Sequence, residues 1–326
     1  MNSMIKFFMV LCWVALGFSA TAQTSSYPSQ PVKLMVTFTP GGAADLTARI
    51  IGEHLSRMWN QQVVVDNKIG AGGSIGVEQV FRAKPDGYTL LLASNTHAIN
   101  QALYNNLPFD LRKDFFAIAS LTSSPIALAV NPKVSVKNLK EFTALLRSQP
   151  GKIAYGTCGV ATAHHFAMEL YKNATSTFAV HIPERGCTPA VIDAVSGQVE
   201  VVISSLVTVL PFAKDQKLRV IGLTSREHSA SLPSAVPFRE SGIPELANYE
   251  VENYYGVMAS VHTPKDILAK LEIDLKKALE SPEVKTQLST AGMDEFWGTS
   301  AQFANLLSTD IEKFKAAIKI ANIKPE

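Results

Sequence analysis

Short runs of apolar, β-branched residues alternate along the chain with stretches in which apolar residues recur every three or four positions. This alternation is typical of β–α–β units around a mostly parallel sheet. It predicts strands at 32–38, 63–65, 88–93, 126–130, 153–157, 178–182, 199–203, 218–223 and 254–259. It predicts helices at 45–58, 77–83, 139–146, 162–171, 189–195, 264–279 and 301–321, and we interpret 95–107 as a turn.

The predicted units fall into two sets, one before and one after Pro125. In each set a strand leads into a turn rich in glycine and small polar residues, and a helix starts directly after the turn. At 326 residues the chain also exceeds the usual size of one hydrophobic core. We therefore expect an α/β protein of two Rossmann-like lobes, with a ligand cleft at the carboxyl ends of their strands.

The amino terminus has the pattern of a cleavable secretion signal. Lys6 precedes an apolar run at 7–18, and Ala20 and Ala22 stand just before Gln23. The run is about a dozen residues, shorter than the roughly twenty of a membrane span, and the two alanines suit signal-peptidase cleavage. We expect residues 1–22 to be removed on export; a retained membrane anchor is the alternative.

The overall charge indicates no charged macromolecular partner. The chain has 30 Lys and Arg against 28 Asp and Glu, a formal net charge of +2 at pH 7. Nucleic-acid binding usually needs a strong basic excess on one face, so we expect no nucleic-acid partner. After the signal, no apolar segment is long enough to span a bilayer.

Cys158 and Cys187 remain once the signal, which contains Cys12, is removed. An even number of cysteines in an oxidising compartment predicts a disulfide between them, and two free buried thiols are the alternative. A free Cys158 at a helix start would favour the thiolate, and His164 follows one or two turns later. A secreted Cys/His enzyme using Cys158 and His164 therefore stays open as an alternative function.

Two strand-to-helix turns could bind an anion. The first contains Thr39, Gly41, Gly42 and Asp45, and the second contains Thr157, Gly159, Thr162 and His164. Helix N-termini present unpaired backbone N–H groups and a partial positive charge, so each turn suits a carboxylate. The alternative is that each turn only connects a strand to a helix and binds no ligand. Asp45 either caps its helix or binds a polar group of the ligand. Arg185 either borders the same cleft or forms an ion pair with Glu184.

The sequence GAGGSIG at 70–76 is only superficially similar to a dinucleotide fingerprint. The glycine spacing differs from GxGxxG, and the next predicted strand has no acidic residue at its end. We interpret this segment as a loop that packs on the cleft, and we expect no cofactor. His164, His165 and Glu169 lack recognisable further ligands, so we predict no metal site.

A series of short motifs runs in order through nearly the whole predicted mature chain. They are YP at 27–28, PVKL at 31–34, FTPGG at 38–42, VVVDN at 63–67, GAGGSIG at 70–76, PDGYTL at 85–90, LPFD at 107–110, YGTCG at 155–159, HIPERG at 181–186, GQV at 197–199 and LP at 232–233. Their order and spacing resemble the Bug family, the extracytoplasmic solute receptors of tripartite tricarboxylate transporters.

The resemblance implies a fold of the periplasmic binding protein type, with two α/β lobes that are joined by crossing strands and close around the ligand. It implies lobe 1 at 23–126 and 250–326 and lobe 2 at 127–249, with the hinge at the crossing strands. In the family the ligand is usually a small carboxylate held by backbone groups and ordered water at the two turns. The binding residues implied here are Thr39, Gly41, Gly42, Asp45, Ser94, Thr96, Thr157, Gly159, Thr162, His164, Arg185 and Ser204.

Glu184 departs from the resemblance, because many relatives have an aromatic residue at this position. A carboxylate near the cleft mouth would disfavour a polyanion, so a di- or tricarboxylate, an amino acid, an aromatic acid and an amide all remain open as ligands. We expect a monomeric periplasmic receptor, not an enzyme, that delivers a small carboxylate to the permease subunits of a tripartite transporter or reports it to a sensor kinase.

Overall fold

The computed structural model describes residues 27–321, so the predicted signal peptide lies outside the described residues. The strands are β1 (Val32–Val36), β2 (Val63–Asn67), β3 (Thr89–Ser94), β4 (Phe115–Val130), β5 (Ala154–Thr157), β6 (Val180–Pro183), β7 (Val201–Ser205), β8 (Arg219–Leu223), β9 (Glu252–Ser260) and β10 (Asp294–Gly298). The α-helices are α1 (Ala43–Trp59), α2 (Ser74–Phe81), α3 (Asn95–Leu103), α4 (Leu139–Ser148), α5 (Ala163–Thr175), α6 (Cys187–Ser196), α7 (Leu206–Lys214), α8 (Lys265–Glu280), α9 (Pro282–Thr290) and α10 (Ser300–Ala321).

The strands of the described part of the chain join into a 10-stranded sheet. Strands β2, β1 and β3 are parallel neighbours, as are β7, β5 and β6. Strand β9 runs antiparallel to both β3 and β4, and β4 runs antiparallel to β7, β8 and β10. The predicted α/β class is confirmed, but the antiparallel strands at the centre make the sheet mixed.

Strand β4 belongs to both parts of the sheet. From Phe115 to Pro125 it pairs with β9, and from Ile126 to Val130 it pairs with β7 and β8. We call β1, β2, β3, β9, β10 and the first part of β4 the first half-sheet, and β5 to β8 with the end of β4 the second half-sheet. Because β4 is buried along almost its whole length, it ties the two half-sheets together through the core.

Helices cover both faces of each half-sheet. Helices α1, α8 and α9 bury one face of the first half-sheet through an apolar cluster that includes Ile51, Leu271 and Leu288. A larger cluster, which includes Ile99 of α3 and Phe142 of α4, runs along the other face and continues under the second half-sheet. Helices α6 and α7 close the remaining face. No helix of residues 27–321 combines the length and apolar character of a membrane span.

The expectation of a turn at 95–107 is wrong, because helix α3 occupies Asn95–Leu103. Its buried face carries Asn95, His97 and Asn100 beside Ala98 and Ile99, and these polar residues hide the apolar periodicity. The sequence pattern also missed α7, α9, β10 and the first part of β4. In that part of β4, buried serines and threonines interrupt the apolar run.

Gly256 is required where β9 crosses β4. A Cβ atom at Gly256 would lie 2.5 Å from the backbone oxygen of Ala119 and 2.5 Å from Cζ of Phe303. Gly256→Ala should therefore lower the free energy of unfolding by about 1–3 kcal/mol, the usual range for overpacking, measured by urea denaturation. Gly156→Ala in β5 is the matched control, because its Cβ meets only ordinary contacts at 3.5 Å or more. Equal urea midpoints of unfolding for the two variants would contradict the requirement for glycine at position 256.

Candidate functional site

The turns that follow strands β1, β3, β5, β6 and β7 meet between the two half-sheets and enclose a small cavity. This small cavity has a volume of about 10 Å³, close to the space of a single water molecule. Its lining residues are Phe38, Thr39, Gly42, Ala43, Ala44, Thr96, His164, Cys187, Ser205, Asn253 and Tyr255. None of them is Asp, Glu, Lys or Arg.

Five helices point their amino termini at the small cavity. Ala43 begins α1, Thr96 and His164 stand in the first turns of α3 and α5, Cys187 begins α6, and Ser205 is the N-cap of α7. Each helix N-terminus carries a partial positive charge that favours an anion by about 0.3–1 kcal/mol. The summed field is favourable for an anion, although no lining residue is Asp, Glu, Lys or Arg.

His164 is buried at the small cavity and is held by two polar neighbours. Its Nε2 lies 2.9 Å from Nδ2 of Asn253 and 3.0 Å from Oγ of Ser205. Its Nδ1 is buried and has no hydrogen-bond partner, which is rare for a buried polar atom. Burial lowers the His164 pKa to about 3, so the ring is neutral at physiological pH.

Further contacts beside the small cavity join the half-sheets, in addition to the one between His164 and Asn253. The backbone N–H of Ala163 donates a hydrogen bond to Oγ1 of Thr96 over 3.1 Å. Gly186 packs so closely on Thr39 that a Cβ at Gly186 would lie 2.2 Å from the Thr39 hydroxyl oxygen. The turns of the two half-sheets are therefore in direct contact in this structure.

Cys158 and Cys187 form the predicted disulfide. It links the turn after β5 to the start of α6, next to the small cavity. His164 lies near both sulfur atoms, and the three residues have the spacing of a possible metal cluster. The disulfide uses both sulfurs, however, so the cluster offers a single imidazole, and the Cys/His enzyme interpretation loses the thiolate nucleophile that it requires.

A second, much larger cavity lies on the other side of Phe38 and Thr39. It has a volume of about 1080 Å³ and extends between the loops after β2 and α3 in the first half-sheet and those after β5 and β6 in the second. Phe38 and Thr39 line both cavities. The loop at 70–74 forms one wall, and Asn100 of α3 holds it through a 2.6 Å hydrogen bond to the Gly72 carbonyl.

The structure divides the predicted binding residues between the two cavities. Gly42, Thr96 and His164 line the small cavity, Gly159, Thr162 and Arg185 line the large cavity, and Thr39 lines both. The remaining residues, which line neither cavity, are Gly41, Asp45, Ser94, Thr157 and Ser204. Glu184, whose position relative to the cleft the sequence left open, lines the large cavity beside Arg185.

Residues outside both cavities hold the turns in place. The Asp45 carboxylate accepts hydrogen bonds from Arg49, from Asn67 and from the backbone N–H of Gly41. Burial alone would raise the Asp45 pKa, but these hydrogen bonds outweigh it and lower the pKa. Asp45 thus holds the turn before α1 and lines neither cavity, and α1 has no side-chain cap. Thr157 contacts His181 through a 2.7 Å hydrogen bond.

Asn253 and Tyr255 of β9 line the small cavity but were not among the binding residues expected from the sequence. Ser205 lines it as well, whereas the expected binding residue was its neighbour Ser204. Alternation along a strand puts Asn253 and Tyr255 on one face, and a buried asparagine in a crossing strand was the available signal. The sequence GGSIG at 72–76 also has the GxSxG spacing of a hydrolase nucleophile. Ser74 has ordinary helical φ and ψ of −60° and −30°, so the strained nucleophile turn is missing there.

Comparison with known proteins finds one family along most of the chain. A family described as "Tripartite tricarboxylate transporter family receptor" matches residues 47–323. Protein BugT of Bordetella pertussis is 28% identical over 310 residues, which are 94% of this chain and 94% of BugT.

Solved structures are similar over the same extent. The structure of a periplasmic transporter is 34% identical and has a TM-score of 0.87, covering 92% of this chain and 99% of its own. The structure of R. palustris Rpa4515 with adipate is 26% identical, also with a TM-score of 0.87, covering 92% of this chain and 100% of its own. The two-lobed periplasmic binding protein fold expected from the sequence is confirmed by this similarity.

Removing the disulfide should destabilise the protein without creating a reactive site. The bridge closes a loop with a sequence separation of 29 residues, which corresponds to about 3–4 kcal/mol of stability. The double variant Cys158→Ser with Cys187→Ser should lose this amount in urea denaturation. A reducing agent should lower the stability of the wild type and leave the double variant unchanged; equal sensitivity of both would contradict the prediction.

The buried histidine should make the protein sensitive to acid. Unfolded His164 takes up a proton near its ordinary pKa of 6.5, whereas the folded pKa is about 3. The unfolded state therefore binds more protons between these values, and the free energy of unfolding falls as pH drops from 6.5 towards 3. His164→Gln should remove about 1–2 kcal/mol of the loss between pH 7 and pH 5.

The measurement is the melting temperature at both pH values. His262→Gln, at an exposed position, controls for the removal of an imidazole. If His164→Gln loses as much stability on acidification as the wild type, His164 does not cause the acid sensitivity.

Proposed function

The chain belongs to the tripartite tricarboxylate transporter receptor family, and from this premise we propose that it captures a small carboxylate in the periplasm and delivers it to the permease subunits of a tripartite transporter. The observation that carries this function is the small cavity, where five helix N-termini meet and no acidic side chain competes for their positive ends. Such an arrangement offers a small anion both N–H donors and partial positive charge.

The carboxylate head of the ligand binds at the small cavity. Thr39 and Thr96 line this cavity with hydroxyl groups that can donate to such a head, and the buried Nδ1 of His164 is a further donor without a partner of its own. A neutral His164 can carry its proton on Nδ1 because Nε2 accepts from Asn253. Backbone N–H groups of Gly42 and of the helix starts complete the set.

Binding draws the two lobes together. With lobe 1 at 23–126 and 250–326 and lobe 2 at 127–249, the chain passes from one lobe to the other within β4 and again just before β9. Gly186 of lobe 2 meets Thr39 of lobe 1 at the cavity, which supports a closed state that only a small residue at 186 allows. Closure excludes water from the anion and signals occupancy to the permease.

The ligand class follows from the family and from a solved relative. Rpa4515, which is 26% identical to this chain, holds adipate, and a carboxylate is the group that helix N-termini favour. The secretion signal predicted at 1–22 would bring the receptor to the periplasm. With both sulfurs in the disulfide, the site captures its ligand and does not transform it.

A thermal-shift screen tests the proposal. The purified protein, dialysed to remove bound small molecules, is melted with acetate, propanoate, adipate, malate, citrate and benzoate. A ligand at 100 times its dissociation constant stabilises by about 2.7 kcal/mol, so at least one carboxylate should raise the melting temperature. The corresponding amides serve as controls and should bind more weakly. If no organic acid changes the melting temperature, the receptor function is wrong.

The variant Gly186→Ala separates closure from stability. It should lower carboxylate affinity at least about tenfold, measured by calorimetry, because the added Cβ meets Thr39. Gly197→Ala is the matched control: both glycines have positive φ, 153° and 85°, but a Cβ at Gly197 comes only within 3.7 Å of Asn131 of its own lobe. If both variants bind as the wild type does, closure at Gly186 is not part of binding.

A further inference from the structure

The small cavity leaves no room for the rest of a ligand. Its volume of about 10 Å³ is comparable to the space of one water molecule, so it accepts at most one oxygen of a carboxylate head. The large cavity of about 1080 Å³ begins on the other side of Phe38 and Thr39. Because Phe38 and Thr39 line both cavities, the large cavity is the space next to a head at the small cavity that can take the body of a ligand.

The large cavity exceeds the needs of a short aliphatic acid. Pockets of roughly 300–1000 Å³ bury ligands of drug size, and this cavity reaches the top of that range. Its walls come mainly from apolar side chains: Phe38, Leu103, Leu107, Val160, Pro183 and Pro189. Such walls favour an apolar body, since each buried methylene or ring gains free energy on leaving water.

The charged lining disfavours a second carboxylate. Arg185 and Glu184 are the charged residues that line the large cavity within the described part of the chain. The Glu184 side chain is hydrogen-bonded to Asp193, and burial together with this acidic neighbour raises the Glu184 pKa. Glu184 thus puts one carboxyl group at the wall, with Asp193 beside it outside the cavity lining, and the exposure of Arg185 to solvent weakens its charge as a counterweight.

Resting on the proposed receptor function, we infer that the large cavity is a specificity pocket that selects a monocarboxylate with a bulky apolar body, such as an arylalkanoate, over di- and tricarboxylates. The head binds at the small cavity, the body lies against Val160 and Leu107, and Glu184 rejects ligands with a second carboxylate. Glu184 is thus a residue that determines specificity and does not hold the head.

Calorimetry with three acids tests the inference on the wild type. 3-Phenylpropanoate should bind at least about tenfold more tightly than propanoate, because only the former places a ring in the large cavity. It should also bind more tightly than adipate. If propanoate or adipate binds and 3-phenylpropanoate gains nothing, the specificity pocket is wrong and the receptor function stands. If none of the acids binds, both proposals are wrong.

Two variants test whether the apolar body of the ligand binds in the large cavity. Val160→Trp places an indole ring against the proposed position of the ligand body in the large cavity, and it should remove the advantage of 3-phenylpropanoate while propanoate affinity changes less than about threefold. Ile192→Trp, at an exposed position of α6 that lines neither cavity, is the matched control. Equal losses for both acids in Val160→Trp would overturn the assignment of the body to this cavity.

Glu184→Gln tests whether the charge of Glu184 at the large cavity selects against a second carboxylate. Adipate affinity should rise about twofold to fivefold, and 3-phenylpropanoate affinity should stay constant. A similar change for both ligands would show that Glu184 does not select against a second carboxylate.

Discussion

The antiparallel pairing of β4 with β9 is the constraint on which the rest of this structure depends. The two strands pair from Phe115 to Pro125 on β4 and from Glu252 to Ser260 on β9, and β4 then continues into the second half-sheet. The close approach at Gly256 fixes their spacing. The first half-sheet is built on this pair and the second on the end of β4, so the turns after β1, β3, β5, β6 and β7 meet at one small cavity.

The main features of the site follow from this meeting of turns from the two half-sheets. Helices that start after parallel strands point their amino termini the same way, so two facing half-sheets bring five positive helix ends to one small cavity. The cavity needs no lysine or arginine, and His164 can stay neutral beside it, because backbone dipoles supply the attraction. The disulfide and the Asp45 hydrogen bonds hold the turns that carry these helix ends.

In the proposed binding mode, the head and the body of the ligand are recognised by different interactions. The head meets fixed dipoles in a cavity of about 10 Å³, where only the charge and size of a small anion matter. The body meets side chains in a cavity of about 1080 Å³, where shape, apolar area and the charge of Glu184 matter. A receptor built this way can keep its anion site and change its ligand through loop residues such as Val160.

The sequence by itself determined the α/β class, the two glycine-containing strand-to-helix turns and the Cys158–Cys187 pair, because periodicity, glycine at strand ends and cysteine number are local or countable properties. It did not reveal helix α3, whose buried Asn95, His97 and Asn100 hide its apolar face. Tertiary structure alone decided that Thr39 touches Gly186, that Asn253 supports His164, and that Glu184 lines the large cavity. These contacts join residues 89 to 147 positions apart or depend on the space between two lobes, and spacing along a chain carries no information about which distant turns the crossing of β4 and β9 brings together.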